Sequence, residues 1–126
     1  MSGRSTSCRG VAQHERTLRA ANNYADSLNV LKHFKEAKAL MRKTVPVARR
    51  VLGEGDEITL RLRKIYAGAL YRNPGATLDD LREAVTTSEE IQRTARRVFG
   101  GTHPLVETIE RSLLNAREAL AARDVD

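Results

Sequence analysis

The chain of 126 residues is large enough for one domain that buries roughly two thirds of its unfolded surface, so it needs no disulfide or metal staple. Its 22 basic residues, 17 of them Arg, outweigh 16 acids to give a net charge of +6, which favours acidic partners without choosing between peptide and nucleic acid. The single Cys8 excludes an internal disulfide, and no apolar stretch approaches the roughly 18 residues of a membrane span, so a soluble cytoplasmic protein is expected.

Residues 1–12 read as a disordered leader rich in Ser, Gly and Arg, in which Cys8 is an exposed, idle thiol. The leader lacks the apolar core of a secretory signal; its acid-free start leaves organelle targeting open. A first helix is expected from about His14 to Leu31, with Leu18, Ala21, Tyr24, Ala25 and Leu28 on one face. After a turn at His33, the apolar positions Phe34, Ala37, Leu40, Met41, Val45, Ala48, Val51 and Leu52 predict a second helix that stops at Gly53, with a kink or the local loss of one backbone hydrogen bond at Pro46.

Asp56 is placed to cap a third helix, whose stripe is Ile58, Leu62, Ile65, Tyr66, Ala69 and Leu70, and Asn73-Pro74-Gly75 ends it. Thr77 and Asp80 have capping-box spacing at the start of a fourth helix, striped by Leu78, Leu81, Ala84, Val85, Ile91, Ala95, Val98 and Phe99 up to Gly100-Gly101. Thr102 or His103 caps a fifth helix with Pro104 in its first turn and Leu105, Ile109, Leu113, Ala116 and Leu120 inward. The repeat domain is thus expected over 13–123, with residues 124–126 fraying, and nothing reads as strand.

The helices repeat. Ala48-Arg49-Arg50-Val51-Leu52-Gly53 returns as Ala95-Arg96-Arg97-Val98-Phe99-Gly100, and Lys35-Glu36-Ala37 returns as Arg82-Glu83-Ala84 at the same offset. Tyr24-Ala25 and Leu28 return as Tyr66-Ala67 and Leu70 at a shorter offset, so the second unit holds an insertion between Leu70 and Arg82. Self-similarity at such a period predicts an array in which each unit buries its apolar face by stacking on the next. Gly53 and Gly100, each after the last apolar residue of a helix, are expected in a left-handed conformation.

Small residues at Ala25 and Ala67, aromatics at Tyr24 and Tyr66, and Glu-Ala pairs at 36/37 and 83/84 form a pattern that resembles the tetratricopeptide repeat. The links Val51-Leu52-Gly53 to Asp56 and Val98-Phe99-Gly100 to His103-Pro104 look like those of its kinesin-light-chain type, although Glu57 stands where that motif has Pro. The resemblance implies an all-α, right-handed α-solenoid of antiparallel helix hairpins, about two and a half repeats in five helices. It also implies a non-enzymatic protein-protein interaction module whose concave groove binds a peptide or partner protein, here an acidic segment, with no cofactor.

Carried over position by position, the groove-facing residues are Arg19, Asn22, Asp26 and Asn29 on the first helix and Arg61, Lys64, Gly68, Tyr71 and Arg72 on the third. On the fifth they are Thr108, Arg111, Asn115 and Glu118, with Asn22, Lys64 and Arg111 in matching positions. Self-association through the terminal helices is a further expectation, since arrays need about three repeats for stability.

The alternatives are a basic helical nucleic-acid-binding protein or a fragment of a larger repeat scaffold. Arg49-Arg50 and Arg96-Arg97 could form a phosphate-binding ridge, but cations near helix C-termini are the commoner account, and the basic residues read as interleaved with acids. His14, His33 and His103 lie at helix ends without neighbours at metal-ligand spacing, which predicts capping roles and no metal. No Ser lies in a nucleophile motif and no Gly-rich loop separates a strand from a helix, so no catalytic residue is assigned.

Overall fold

The computed structural model describes residues 2–125, with side chains over 13–123. It is all-α, with five helices: α1 (Ser2–Val30), α2 (Phe34–Val51), α3 (Glu57–Tyr71), α4 (Leu78–Phe99) and α5 (Pro104–Val125). Among the described residues there is no strand. The helix expected to start near His14 begins instead at Ser2, because Gly10 lowers helix propensity without stopping the helix and no proline intervenes. The side chains of the expected leader, Cys8 included, and those of 124–126 lie outside the described residues.

Each helix packs on the next in sequence, and in addition α1 packs on α3 and α3 on α5. Helix α3 therefore touches all four others, which explains why it buries far more than one face: Leu60, Ala67, Thr59 and Arg63 are covered as well as Ile58, Leu62, Ile65, Ala69 and Leu70. The core follows this centre. Leu18 and Ala25 of α1, Met41 and Ala48 of α2, and Ile58, Leu62 and Ile65 of α3 form one cluster. Leu60 joins Ile91, Ala95, Leu105, Val106 and Ile109 in a second between α3, α4 and α5.

The repeated alanines lie in the helix packing: Ala25, Ala37, Ala48, Ala67, Ala84 and Ala95 are all 0% exposed. The two tyrosines of the motif part company. Tyr66 is half-buried, and its hydroxyl donates to Glu83 Oε2 at 2.6 Å and accepts from Arg42 Nε at 3.4 Å. Tyr24, expected on the inner face, is 58% exposed, because no described helix lies beside α1 as α2 lies beside α3. Val98, expected on the stripe of α4, is also exposed, although Gly55 packs close to it.

The caps follow local chemistry. Asp56 Oδ1 accepts from Ile58 N at 2.8 Å, and Thr77 and Asp80 exchange both bonds of a capping box at 3.1 Å each. His103 Nδ1 accepts from Leu105 N at 3.1 Å, with the ring stacked on Phe99. Helix α2 runs unbroken through Pro46. Gly53 and Gly100 have φ of +94° and +86°, but Gly100 combines this with ψ of 163°, an extended mirror-image backbone rather than the left-handed helical one expected.

A candidate polar recess across three helices

Two of the surface depressions lie on the odd-numbered helices. The larger of these two, about 270 Å³, is lined by Asp26 and Asn29 of α1, Lys64, Ile65, Gly68 and Tyr71 of α3, Arg72 just past it, and Thr108, Arg111, Ser112 and Asn115 of α5. The smaller, about 210 Å³, is lined by Arg19, Asn22 and Asn23 of α1 and Glu57, Ile58 and Arg61 of α3. The structure thus brings together Asp26, Asn29, Lys64, Tyr71, Arg72, Arg111 and Asn115, and separately Arg19, Asn22 and Arg61. Glu118 lines neither.

The expected row of Asn22, Lys64 and Arg111 does not lie in one recess. In repeat register Asp26 corresponds to Gly68 and Asn115, yet the larger recess takes α1 only from Asp26 onward and α5 only up to Asn115. It therefore crosses the helices obliquely, stepping back along the repeat from α1 to α5, which leaves Asn22 to the smaller depression. Arg19 and Arg61 are also not free hooks. Each reaches back one turn to a carboxylate of its own helix, Glu15 at 3.4 Å and Glu57 at 2.8 Å.

Inside the larger recess, Asn29 is 3% exposed and donates its Nδ2 to Ile65 O at 3.2 Å, so it ties α1 to α3 instead of projecting as an open amide. Its Oδ1 is buried and has no described partner. An acceptor left in this state costs about 1 to 3 kcal/mol unless a ligand or water supplies a donor. Lys64 is half-buried, not exposed as its groove role implies; burial, reinforced by nearby Arg61, holds its ammonium below the usual lysine range, while Asp26 draws it back. Lys64 and Arg111 form no ion pair with a described carboxylate.

Gly68 sharpens the picture. An interior helix glycine costs about 1 kcal/mol relative to alanine. A Cβ there would meet Asn29 Nδ2 at 3.5 Å, an ordinary contact, so packing does not demand the glycine; what it provides is depth in the recess floor. Ile65 and Ser112 complete that floor. Sequence reasoning missed both, because the spacing of Ile65 marks it only as core and Ser112 falls on no assigned face.

The arginine pairs are unequal within themselves. Arg49 binds Glu54 at 2.6 Å, and Arg96 binds Glu110 at 3.2 Å, so each first arginine ties a helix end to the segment that follows. Glu54 also meets buried Arg63, which holds Glu90 of α4 at 2.6 Å. Arg50 and Arg97 remain exposed and pair with no described carboxylate. Among the described residues no helix is long and apolar enough to cross a membrane, and no three His, Cys, Asp or Glu side chains gather as a metal site would require. Comparison with protein-family models, curated proteins and solved structures returned no match.

Proposed function

We propose that the five helices form a right-handed solenoid of antiparallel, tetratricopeptide-like hairpins, and that the oblique recess on α1, α3 and α5 captures an acidic segment of a peptide or partner protein without catalysing a reaction. One observation carries this reading. Lys64 and Arg111 line one recess, and neither forms an ion pair with a described carboxylate, although Asp26 stands at its edge. An extended acidic peptide offers carboxylates to both cations. Each charge-assisted hydrogen bond contributes roughly 1.5 to 3 kcal/mol at best, less at exposed Arg111, where water screens it.

The test is fluorescence anisotropy with a short labelled peptide rich in Glu and Asp. Arg111→Glu is the informative variant because Arg111 is exposed and pairs with no described carboxylate, so the fold tolerates the change. The control is Arg97→Glu on α4; Arg96 would be a poor one, since its loss frees Glu110. Arg111→Glu should weaken binding by several-fold and up to about tenfold, through loss of one screened bond and the repulsion of the new carboxylate. Equal affinity in the two variants would sink the assignment.

A further inference from the structure

Helix α2 holds six cations, Lys35, Lys38, Arg42, Lys43, Arg49 and Arg50, against the single carboxylate Glu36, a net of +5 out of the chain's +6. The interleaving of charges read along the chain therefore fails for this segment. Two of the six are used within the fold: Lys38 meets Asp80 at 3.4 Å, and Arg49 meets Glu54. Lys35, Arg42, Lys43 and Arg50 are exposed and pair with no described carboxylate; Arg42 donates only to the Tyr66 hydroxyl. Their spacing places them along one face, separated by exposed Ala39 and Pro46, over a length of about 22 Å at 1.5 Å per residue. The opposite face is anchored by Ala37, Met41 and Ala48, all 0% exposed, so the row is held rigid.

We infer that this ridge binds the phosphodiester backbone of duplex nucleic acid, independently of base sequence and of the recess. The free side chains of the row are donors only, and a phosphate backbone presents acceptors only. A polypeptide would also bring main-chain N–H groups that these four side chains cannot accept. A stiff, regularly charged polyanion matches a row of cations fixed on one helix face, whereas no aromatic residue stands on the ridge to stack unpaired bases. An anionic membrane is the lesser fit: of the exposed large apolar residues Tyr24, Val30, Leu31, Val98 and Leu114, none belongs to α2, and Val30 and Leu31 precede the ridge at one end only. Neither depression of the odd-numbered helices includes an α2 residue, so both ligands could be held at once.

The experiment is anisotropy with a labelled DNA duplex of mixed sequence, titrated over a series of salt concentrations. Four phosphate contacts predict a log-log salt slope of roughly −3 to −4, with affinity indifferent to base sequence. The triple variant Lys35→Gln, Lys43→Gln, Arg50→Gln, checked for an unchanged helical spectrum and melt, should bind at least about tenfold more weakly at low salt and lower the slope by roughly 2 to 3. Arg111→Glu should leave duplex binding unchanged, which separates failure of the ridge from failure of the recess. Absence of duplex binding at low salt, a triple variant that keeps the wild-type slope, or capture by phosphatidylserine vesicles in place of the duplex would each overturn the assignment.

Discussion

Helices α2 and α4 carry the same repeated sequence blocks and differ almost entirely on their outer faces. Their packed positions match: Ala37 with Ala84 and Ala48 with Ala95 are fully covered, and Arg49 and Arg96 each tie down the segment that follows. Their charge does not. Against the six cations and one acid of α2, α4 carries four arginines and five carboxylates, Asp79, Asp80, Glu83, Glu89 and Glu90. The internal repeat thus specifies how helices meet, where a methyl group decides the fit, and leaves the solvated face open to a separate role.

Four predictions probe that division, in order of decreasing effect. Ala48→Leu and Ala95→Leu should each destabilise by about 1 to 3 kcal/mol through overpacking. Denaturant melts that tolerate one and not the other would break the equivalence. Gly100→Val should cost about 1 to 3 kcal/mol, the penalty for a side chain in that backbone region. The two links differ beyond this point, since Asp56 caps one with a carboxylate and His103 the other with an imidazole. An unchanged melt for Gly100→Val would mean the second link has another geometry.

Tyr66→Phe should cost about 1 to 2 kcal/mol, through the bond to Glu83 and the longer one from Arg42, while Tyr24→Phe should change nothing measurable. Burial, then the bond to Glu83, raises the Tyr66 hydroxyl above its usual range, so the folded state favours the neutral phenol. That stability is complete below the unfolded tyrosine value near 10 and is lost as pH rises above it. Alkaline melts should therefore converge for wild type and Tyr66→Phe. The smallest effect concerns Lys64, whose ammonium burial disfavours, so its charged form weakens the fold at neutral pH. That loss is relieved as pH rises toward the unfolded lysine value, and Lys64→Met should raise the melting temperature slightly at neutral pH and not at high pH.

Much of this was legible in the sequence, and for identifiable reasons. Apolar periodicity located five helices, and Asp56, Thr77 with Asp80, and His103 marked the starts of three of them because caps are local chemistry. Periodicity could not show that α3 is central, since a helix covered on several sides loses the one-faced stripe; Thr59, Leu60 and Arg63 were missed for that reason. Tyr24 was misplaced because its twin Tyr66 is covered by partners on α2 and α4 that Tyr24 lacks. Register predicted which residues line the odd-numbered helices. It could not foresee the oblique course that separates Asn22 from Lys64, the carboxylates that occupy Arg19 and Arg61, or the burial of Asn29. The charge of α2 was present in its composition and was obscured by averaging over the chain.

The most direct test of the recess is a two-dimensional NMR titration of the ¹⁵N-labelled chain with an acidic peptide at about 0.15 M salt, where exposed charges are screened beyond about 8 Å. Peptide bound in the recess should shift the amide signals of Lys64, Gly68, Arg111 and Asn115 together and leave Lys35 to Arg50 of α2 unmoved. Shifts confined to α2, or none on α3 and α5, would contradict it.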